Sequence, residues 1–393
     1  MHIPYCLPNN ISPKDFLENY WQKKPLLIKN GLPQLIDIFE PEDILGLALE
    51  DEVSSRLITQ TPKQNIKEPV LESHFNWTLK NSPLTEADFS HLPPLWTTLV
   101  QNLEQWSPDL ASLWQAFDFI PQWQRDDIMV SYAPVGGSVG KHYDDYDVFL
   151  AQGYGHRRWQ LGKYCDENTE FVANQPIRIF DDMGDIIFDE VLEPGDVLYV
   201  PPKLSHFGVA QDDCLTFSFG FRRPNIMQIL DSLADVATSE PSIFTPMLLE
   251  QNLQPSGALK KDSINHIKSQ LIELLNSPIG DDLLTQSVAE SVSKRQYDIL
   301  IPEETLNADD VMAQLQAGAT LKIDYNSRLI YSTTNDIITI YANGQELTDL
   351  SANQISLLQQ LADGCCLGYQ QLNDMDKLTI MEWLENGWVW LDF

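Results

Sequence analysis

Two short segments that lie far apart in the sequence carry side chains able to bind the same metal ion. His142 and Asp144 stand one residue apart, and His206 follows 62 residues after Asp144, behind Pro201-Pro202. Two imidazoles and one carboxylate can hold one face of an octahedral divalent ion and leave the other positions open. The segments can meet only if the strands between them roll into a barrel, and this requirement constrains the fold of the chain.

The first segment leads into a predicted hairpin. Residues 147–152 have the composition of a strand, residues 153–155 contain two glycines and predict a turn, and residues 156–161 predict a second strand. Side chains alternate along a strand, so His142 and Asp144 face the same side and can share one ion. An isolated H-x-D pair is weak evidence, because such pairs are common in surface turns.

The second segment is more distinctive. Residues 193–196, Glu-Pro-Gly-Asp, predict a turn, residues 197–200 predict a short apolar strand, and Pro201-Pro202 ends it, since proline cannot donate to a ladder. His206 then opens a strand that runs to residue 210. Together the segments indicate an Fe(II) centre with oxygenase chemistry, against the alternative of a buried structural histidine. Metal binding requires neutral imidazoles, so we expect activity to fall as His142 and His206 protonate in mild acid.

The motifs resemble a known family. The chain carries G-x-H-x-D, a hairpin ending in G-x-R-x-W, and E-P-G-D-x-L-Y-x-P-P-x-x-x-H, a pattern similar to that of the JmjC-type cupin oxygenases, which use Fe(II) and 2-oxoglutarate. Residues 16–28 also resemble the lead-in of that family. Within it, the chain is similar to the bacterial ribosomal oxygenases, which hydroxylate an arginine of large-subunit ribosomal protein sixteen.

The resemblance implies an α+β chain of three parts. Residues 1–224 would form a double-stranded β-helix of the cupin or JmjC jelly-roll type with N-terminal covering elements, residues 225–301 a helical dimerisation segment, and residues 302–393 a winged-helix domain. A length of 393 residues suits two or three domains. A homodimer is expected by resemblance; the alternative is that these helices pack only on their own domain.

Local patterns are consistent with this division. Apolar residues recur at helical spacing over 226–236, over 264–275 behind Asp262 or Ser263 as cap, and over 283–292. Pro302-Glu303-Glu304 predicts a linker. Beyond it we expect a helix at 308–316, strands at 320–331 and 337–342, helices near 353–362 and 378–385, and a last strand at 388–391.

The distal carboxylate of 2-oxoglutarate needs a cation or a hydroxyl in the barrel, and arginine can grip it through two parallel bonds. By resemblance, Arg157 occupies the position usually held by a basic residue, and Ser131 matches a hydroxyl position. Arg158 would face the opposite side by strand alternation. The alternatives are that the arginines are exposed hairpin charges and that Ser131 is an ordinary strand residue.

Several residues near the ligand motif are candidates for contact with the substrate. These are Tyr143, Asp145 and Tyr146, with Tyr132 and His156 as further candidates at the mouth of the barrel. Asp145 is the candidate partner of a cationic substrate.

The composition bears on partners. The net charge of −32 disfavours direct nucleic-acid binding and suits a basic partner such as a large-subunit ribosomal protein, although acidity can also serve solubility alone. There is no opening segment typical of a signal peptide and no apolar run of membrane-spanning length, so we expect a cytoplasmic protein that does not enter membranes. The cysteines number five, at irregular spacing, which argues against a disulfide framework or zinc cluster.

Three functional hypotheses follow. The first is a 2-oxoglutarate-dependent dioxygenase that acts as a protein arginine 3-hydroxylase on ribosomal protein sixteen. The second is the same chemistry on another target, either a histidine or other residue of a different ribosomal protein or a methylated lysine. The third is a cupin scaffold without redox chemistry.

Overall fold

The computed structural model describes residues 3–64, 70–247, 257–295, 307–334, 336–372 and 375–392. The chain divides into two compact units, Met1–Arg223 and Pro224–Phe393. Each unit has a hydrophobic core of its own. The predicted linker at residues 302–304 lies outside the described residues. Within the described part of the chain, every helix is too short or too polar to cross a membrane.

The first unit is built on antiparallel strands. They are β1 (Leu26–Ile28), β2 (Ser55–Pro62), β3 (Phe75–Asn81), β4 (Leu95–Val100), β5 (Arg125–Ala133), β6 (Asp147–Tyr154), β7 (Arg157–Tyr164), β8 (Phe188–Leu192), β9 (Val197–Val200), β10 (Leu204–Ala210) and β11 (Cys214–Phe221). A large sheet has the order β1-β9-β6-β11-β5-β4-β2-β3, and a small sheet has the order β10-β7-β8. The helices are α1 (Pro13–Asn19), α2 (Pro41–Leu47), α3 (Glu86–Phe89) and α4 (Pro108–Ser112).

The small sheet faces the large one. Because side chains alternate along a strand, each sheet presents one set of residues inward and another outward. The inward residues of the two sheets form one buried cluster, made of Val148, Leu150, Trp159, Leu161, Leu192, Leu198, Val200 and Leu204. The strands therefore close into the barrel that the separated ligand segments predict.

The outer face of the large sheet is covered by the N-terminal elements. Phe16 of α1 packs edge-on against Tyr199 with ring centroids 5.0 Å apart. The Tyr199 hydroxyl donates to Asp147 Oδ1 at 2.6 Å and accepts from the Gln22 backbone N–H at 2.7 Å. Burial raises the pKa of the Asp147 carboxyl to about 6. The lead-in segment is thus fastened to β6 and β9 from the side opposite the barrel interior.

The second unit contains helices and two small sheets. Its helices are α5 (Ile226–Ala237), α6 (Lys261–Leu275), α7 (Pro278–Ser293), α8 (Ala308–Ala317), α9 (Ala352–Ala362), α10 (Tyr369–Leu372) and α11 (Lys377–Glu385). Its strands are β12 (Thr320–Ile323), β13 (Leu329–Thr334), β14 (Ile337–Ala342), β15 (Gln345–Glu346), β16 (Leu367–Gly368) and β17 (Val389–Asp392), in sheets β16-β12-β17 and β13-β14-β15.

Several local predictions were wrong. His206 does not open its strand, because β10 begins at Leu204. The strand predicted over 320–331 is two strands, since a turn closes where the Ser327 N–H donates to the Asp324 carbonyl. The N-cap of helix α6 is Lys260, which lies two residues before Asp262 and three before Ser263, the predicted caps. Strand β6 runs through Gly153 to Tyr154, so the hairpin turn is shorter than predicted.

Candidate metal centre

The two ligand-bearing segments are joined by their backbones. The His142 N–H donates to the His206 carbonyl at 3.1 Å, and the His206 N–H donates to the His142 carbonyl at 2.9 Å. This isolated antiparallel bridge places the imidazole centroids 4.2 Å apart. The barrel therefore brings the predicted histidines side by side.

Both rings are oriented by carbonyls of their own segments. The Nδ1 of His142 lies 2.9 Å from the Gly140 carbonyl oxygen, and the Nδ1 of His206 lies 3.0 Å from that of Leu204. A carbonyl can only accept, so each Nδ1 carries a proton, and in the neutral form of each ring the lone pair is then on Nε2. The sequence did not identify these two orienting carbonyls, which follow from the backbone path alone.

Burial affects the charge state of His206. The side chain is 2% exposed, and desolvation lowers the pKa of its imidazole to about 4. His206 therefore stays neutral in mild acid, and the expectation that it would protonate there was wrong. A neutral imidazole is the form that binds a metal.

Asp144 completes the group. Its Oδ2 lies 3.6 Å from His206 Nε2, and one ligand atom from each of His142, Asp144 and His206 lies within 4.8 Å of the others. The Asp144 carbonyl accepts from the Lys203 N–H at 2.7 Å, so the loop before β10 fixes the backbone of this residue. A set of two nitrogen donors and one carboxylate oxygen, with each Nδ1 engaged by a carbonyl and each Nε2 left for a metal, fits Fe(II).

Arg157 lies deep in the first unit. It is 2% exposed, and its Nε and Nη2 have no hydrogen-bond partner among the described residues. On β7 it pairs with Ala210 of β10, which lies four residues beyond His206. Arg158 faces outward, as strand alternation predicts, and makes two hydrogen bonds to Asp189. A buried guanidinium with unused donors is suited to a carboxylate that enters the barrel.

Ser131 faces the same interior from the large sheet. Its neighbours Val130 and Tyr132 pack in the outer core, so by alternation Ser131 points to the other side of β5. It is buried, and its hydroxyl donates to the Thr216 carbonyl at 3.4 Å, a long contact. Ser131 therefore keeps spare hydrogen-bonding capacity on the inward side of β5.

The residues after the ligand motif are exposed. Asp145 is exposed, and its carbonyl accepts from Arg223 at 3.4 Å. Tyr146 is partly exposed, and the charge of Asp144 raises the pKa of its phenol well above the usual range. Both residues are accessible to a substrate protein.

Three other candidates lie elsewhere. The Tyr143 ring points away from the ligand face and packs with Phe171 and Phe180 at centroid distances of 6.0 and 6.2 Å. The alternation that aligns His142 with Asp144 sends the residue between them to the other side. Tyr132 packs edge-on against Trp96 in the outer core. His156 lies in the hairpin turn, where its Nδ1 is 2.7 Å from Asp212. The structure does not bring these three to the ligands.

Comparisons with known proteins agree with this geometry. Residues 112–229 match the family model of the JmjC domain, and residues 268–389 match that of the ROXA-like winged helix. The expected α+β fold, with a JmjC barrel and a winged helix, is confirmed.

Related proteins cover almost the whole chain. A probable ribosomal oxygenase of Haemophilus influenzae is 46% identical, covering 99% of this chain and 98% of the relative. The ribosomal protein uL16 3-hydroxylase of Escherichia coli is 30% identical, covering 96% of each. The structure of YcfD, a ribosomal oxygenase from Escherichia coli, in complex with cobalt and 2-oxoglutarate is 29% identical, with a TM-score of 0.77 and coverage of 98% of this chain and 99% of that one.

These matches confirm the prediction of a 2-oxoglutarate-dependent oxygenase and speak against the cupin scaffold without redox chemistry. The chain belongs to the JmjC-domain ribosomal oxygenases.

Proposed function

We propose that the chain is an Fe(II)- and 2-oxoglutarate-dependent hydroxylase of an arginine side chain in large-subunit ribosomal protein sixteen, also called uL16. The observation that carries the proposal is the inward-facing group of His142, Asp144 and His206, with the buried Arg157 on the neighbouring strand of the same barrel. Similarity over nearly the full length to the Escherichia coli uL16 3-hydroxylase supports the choice of target.

We assign His142, Asp144 and His206 as the metal ligands, and Arg157 and Ser131 as the residues that hold the cosubstrate. Bound Fe(II) would activate O₂, which is the oxidant, and 2-oxoglutarate would supply two electrons as it loses CO₂: one oxygen atom would enter the substrate as a hydroxyl and the other the succinate. The chain supplies neutral imidazoles, a carboxylate and a cation, all in a barrel lined by apolar side chains. Exclusion of water from that interior strengthens the attraction between Arg157 and a carboxylate.

An arginine substrate suits the charges at the mouth. Asp145 is exposed beside the ligand motif, and the net charge of the chain is −32. The attraction between opposite charges accelerates the encounter with a basic protein, and this attraction weakens as the salt concentration rises. We therefore assign Asp145 and Tyr146 as residues that meet the substrate, and we expect no direct role for nucleic acid.

The test is a reaction with purified components. The protein is loaded anaerobically with Fe(II) and 2-oxoglutarate, then exposed to air with purified uL16. We expect uL16 to gain the mass of one oxygen atom, with fragmentation locating it on an arginine side chain, and succinate to form in equal amount. His206→Ala should abolish both products.

The other outcomes separate the alternatives. Succinate without a mass change on uL16, but with one on a different ribosomal protein, would move the activity to that protein. Formaldehyde release from a methylated peptide would indicate demethylation. Absence of succinate from the folded, iron-loaded protein would refute the proposal.

We further propose that the chain forms a homodimer through α5 and α6. These helices expose large apolar side chains, namely Ile226, Met227, Leu230, Ile264, Leu271, Ile272 and Leu275. Apolar side chains in this number are typical of a covered surface. The expected mass in light scattering is twice that of one chain, and the double change Leu230→Glu with Leu271→Glu should halve it. A wild-type protein that scatters as a monomer at micromolar concentration would refute the dimer.

A further inference from the structure

The indole N–H of Trp159 is a buried hydrogen-bond donor. Trp159 is 3% exposed, and its Nε1 has no hydrogen-bond partner among the described residues. Buried N–H groups in folded proteins are nearly always paired, because an unpaired one loses its bond to water without compensation. The role of this donor is not explained by packing alone.

The position of Trp159 links the two parts of the site. It stands two residues after Arg157 on β7, so the side chains share the inward face. The Arg157 guanidinium carbon lies 5.8 Å from the indole ring, and the ring centroid lies 5.9 Å from that of His206. Trp159 therefore sits between the cation and a metal ligand.

Gly208 makes this position possible. Gly208 of β10 pairs with Trp159 of β7. A Cβ at Gly208 would lie 2.7 to 2.9 Å from three atoms of the six-membered ring. Only a residue without a side chain leaves space for the indole there, so β10 supplies a seat for the ring as well as the ligand His206.

We infer that Trp159 is a cosubstrate-binding residue whose indole N–H donates to a carboxylate oxygen of 2-oxoglutarate, beside Arg157. The inference rests on the proposed function. Arg157 Nε, Arg157 Nη2 and Trp159 Nε1 are three donors on one face of β7 that have no partner in the described part of the chain. A carboxylate offers about four acceptor sites on two oxygens, enough for all three donors. Trp159 thus adds a directional contact to the ionic one.

The first test is binding without turnover. The affinity for 2-oxoglutarate is measured by calorimetry on protein loaded with Mn(II) in the absence of oxygen. Trp159→Phe removes the indole N–H together with the ring atoms that phenylalanine lacks, so its control must lose the same atoms elsewhere. We expect the dissociation constant to rise roughly tenfold or more, the usual loss for a hydrogen bond to a charged group. The matched control is Trp114→Phe, which changes a buried tryptophan in the outer core and should bind as the wild type does.

The second test observes the proton itself. In a spectrum of ¹⁵N-labelled indole groups from the ten tryptophans, the signal missing from Trp159→Phe identifies Trp159. It should move downfield when 2-oxoglutarate is added, whereas the Trp114 signal should stay in place. Should Trp159→Phe fail to fold, Trp159→Tyr provides the assignment.

The outcomes are distinguishable. A wild-type protein that fails to bind 2-oxoglutarate refutes the proposed function. A wild-type protein that binds it, with an unchanged dissociation constant in Trp159→Phe and an unmoved indole signal, leaves the proposed function standing and overturns the inference about Trp159.

Discussion

Replacing Arg157 by methionine should stabilise the protein while removing its response to the cosubstrate. Two of the Arg157 guanidinium nitrogens are buried and find no partner among the residues that the structure describes, and each unpaired group costs at least about 1 kcal/mol. The stacking of the cation near the Trp159 ring offsets about 0.5–1 kcal/mol of this. Methionine fills a similar volume, so little cavity remains. The net change is a stabilisation of about 1 kcal/mol.

Thermal unfolding measures both effects. For a unit of this size, about 1 kcal/mol raises Tm by about 2–4 °C. With 2-oxoglutarate at a hundred times its dissociation constant, the wild type should gain about 2.7 kcal/mol and Arg157→Met nothing, so the order of the two melting temperatures reverses. Arg158→Met is the matched control, because it removes an exposed pair with Asp189 and should keep the response. An Arg157→Met variant that melts below the wild type without ligand would refute this reasoning.

Three further changes have defined outcomes. The pKa of Asp147 in the folded chain is about 6 against an ordinary 3.8, so its contribution to stability is complete below about pH 4 and lost as pH rises through 6. The free energy of unfolding of the wild type should therefore fall by about 3 kcal/mol over that range. Asp147→Asn should not show this fall when urea titrations are made at several pH values. His206→Ala should lose the visible absorption of bound Co(II) while the far-ultraviolet circular dichroism stays unchanged. Gly153→Ala would place a Cβ 2.5 Å from the Phe217 ring. It should lower the free energy of unfolding by about 1–3 kcal/mol, which a lower urea midpoint would show. An unchanged midpoint would mean that the ring can move aside.

Much of the barrel could be predicted because strand alternation and turn residues are local signals. Strand β9 has the predicted bounds, and the burial of Arg157 beside the exposed Arg158 follows the period of two. The same period, applied to Tyr143, predicts that it leaves the ligand face. Tyr143 was predicted to contact the substrate because it is next to the ligands in sequence, but adjacent residues in an extended segment face opposite sides.

Other features depend on contacts distant in sequence. The low pKa of His206 arises from burial by strands that are distant in sequence, and the residues beside His206 in the sequence do not indicate this burial. The use of the Gly140 and Leu204 carbonyls as ring partners requires the backbone path. The seat of Trp159 over Gly208 requires the register of β7 against β10. None of these three features can be predicted from the sequence of a single strand.

The backbone bridge between His142 and His206 has a consequence for the life of the protein in a cell. Because main-chain bonds hold the ligands in place, the empty centre should persist as a folded protein and take up iron again when the metal returns. A shortage of iron would then stop the modification without removing the enzyme. Under the proposed function, uL16 made during the shortage would stay unmodified, so the ribosome population would carry a record of past iron supply.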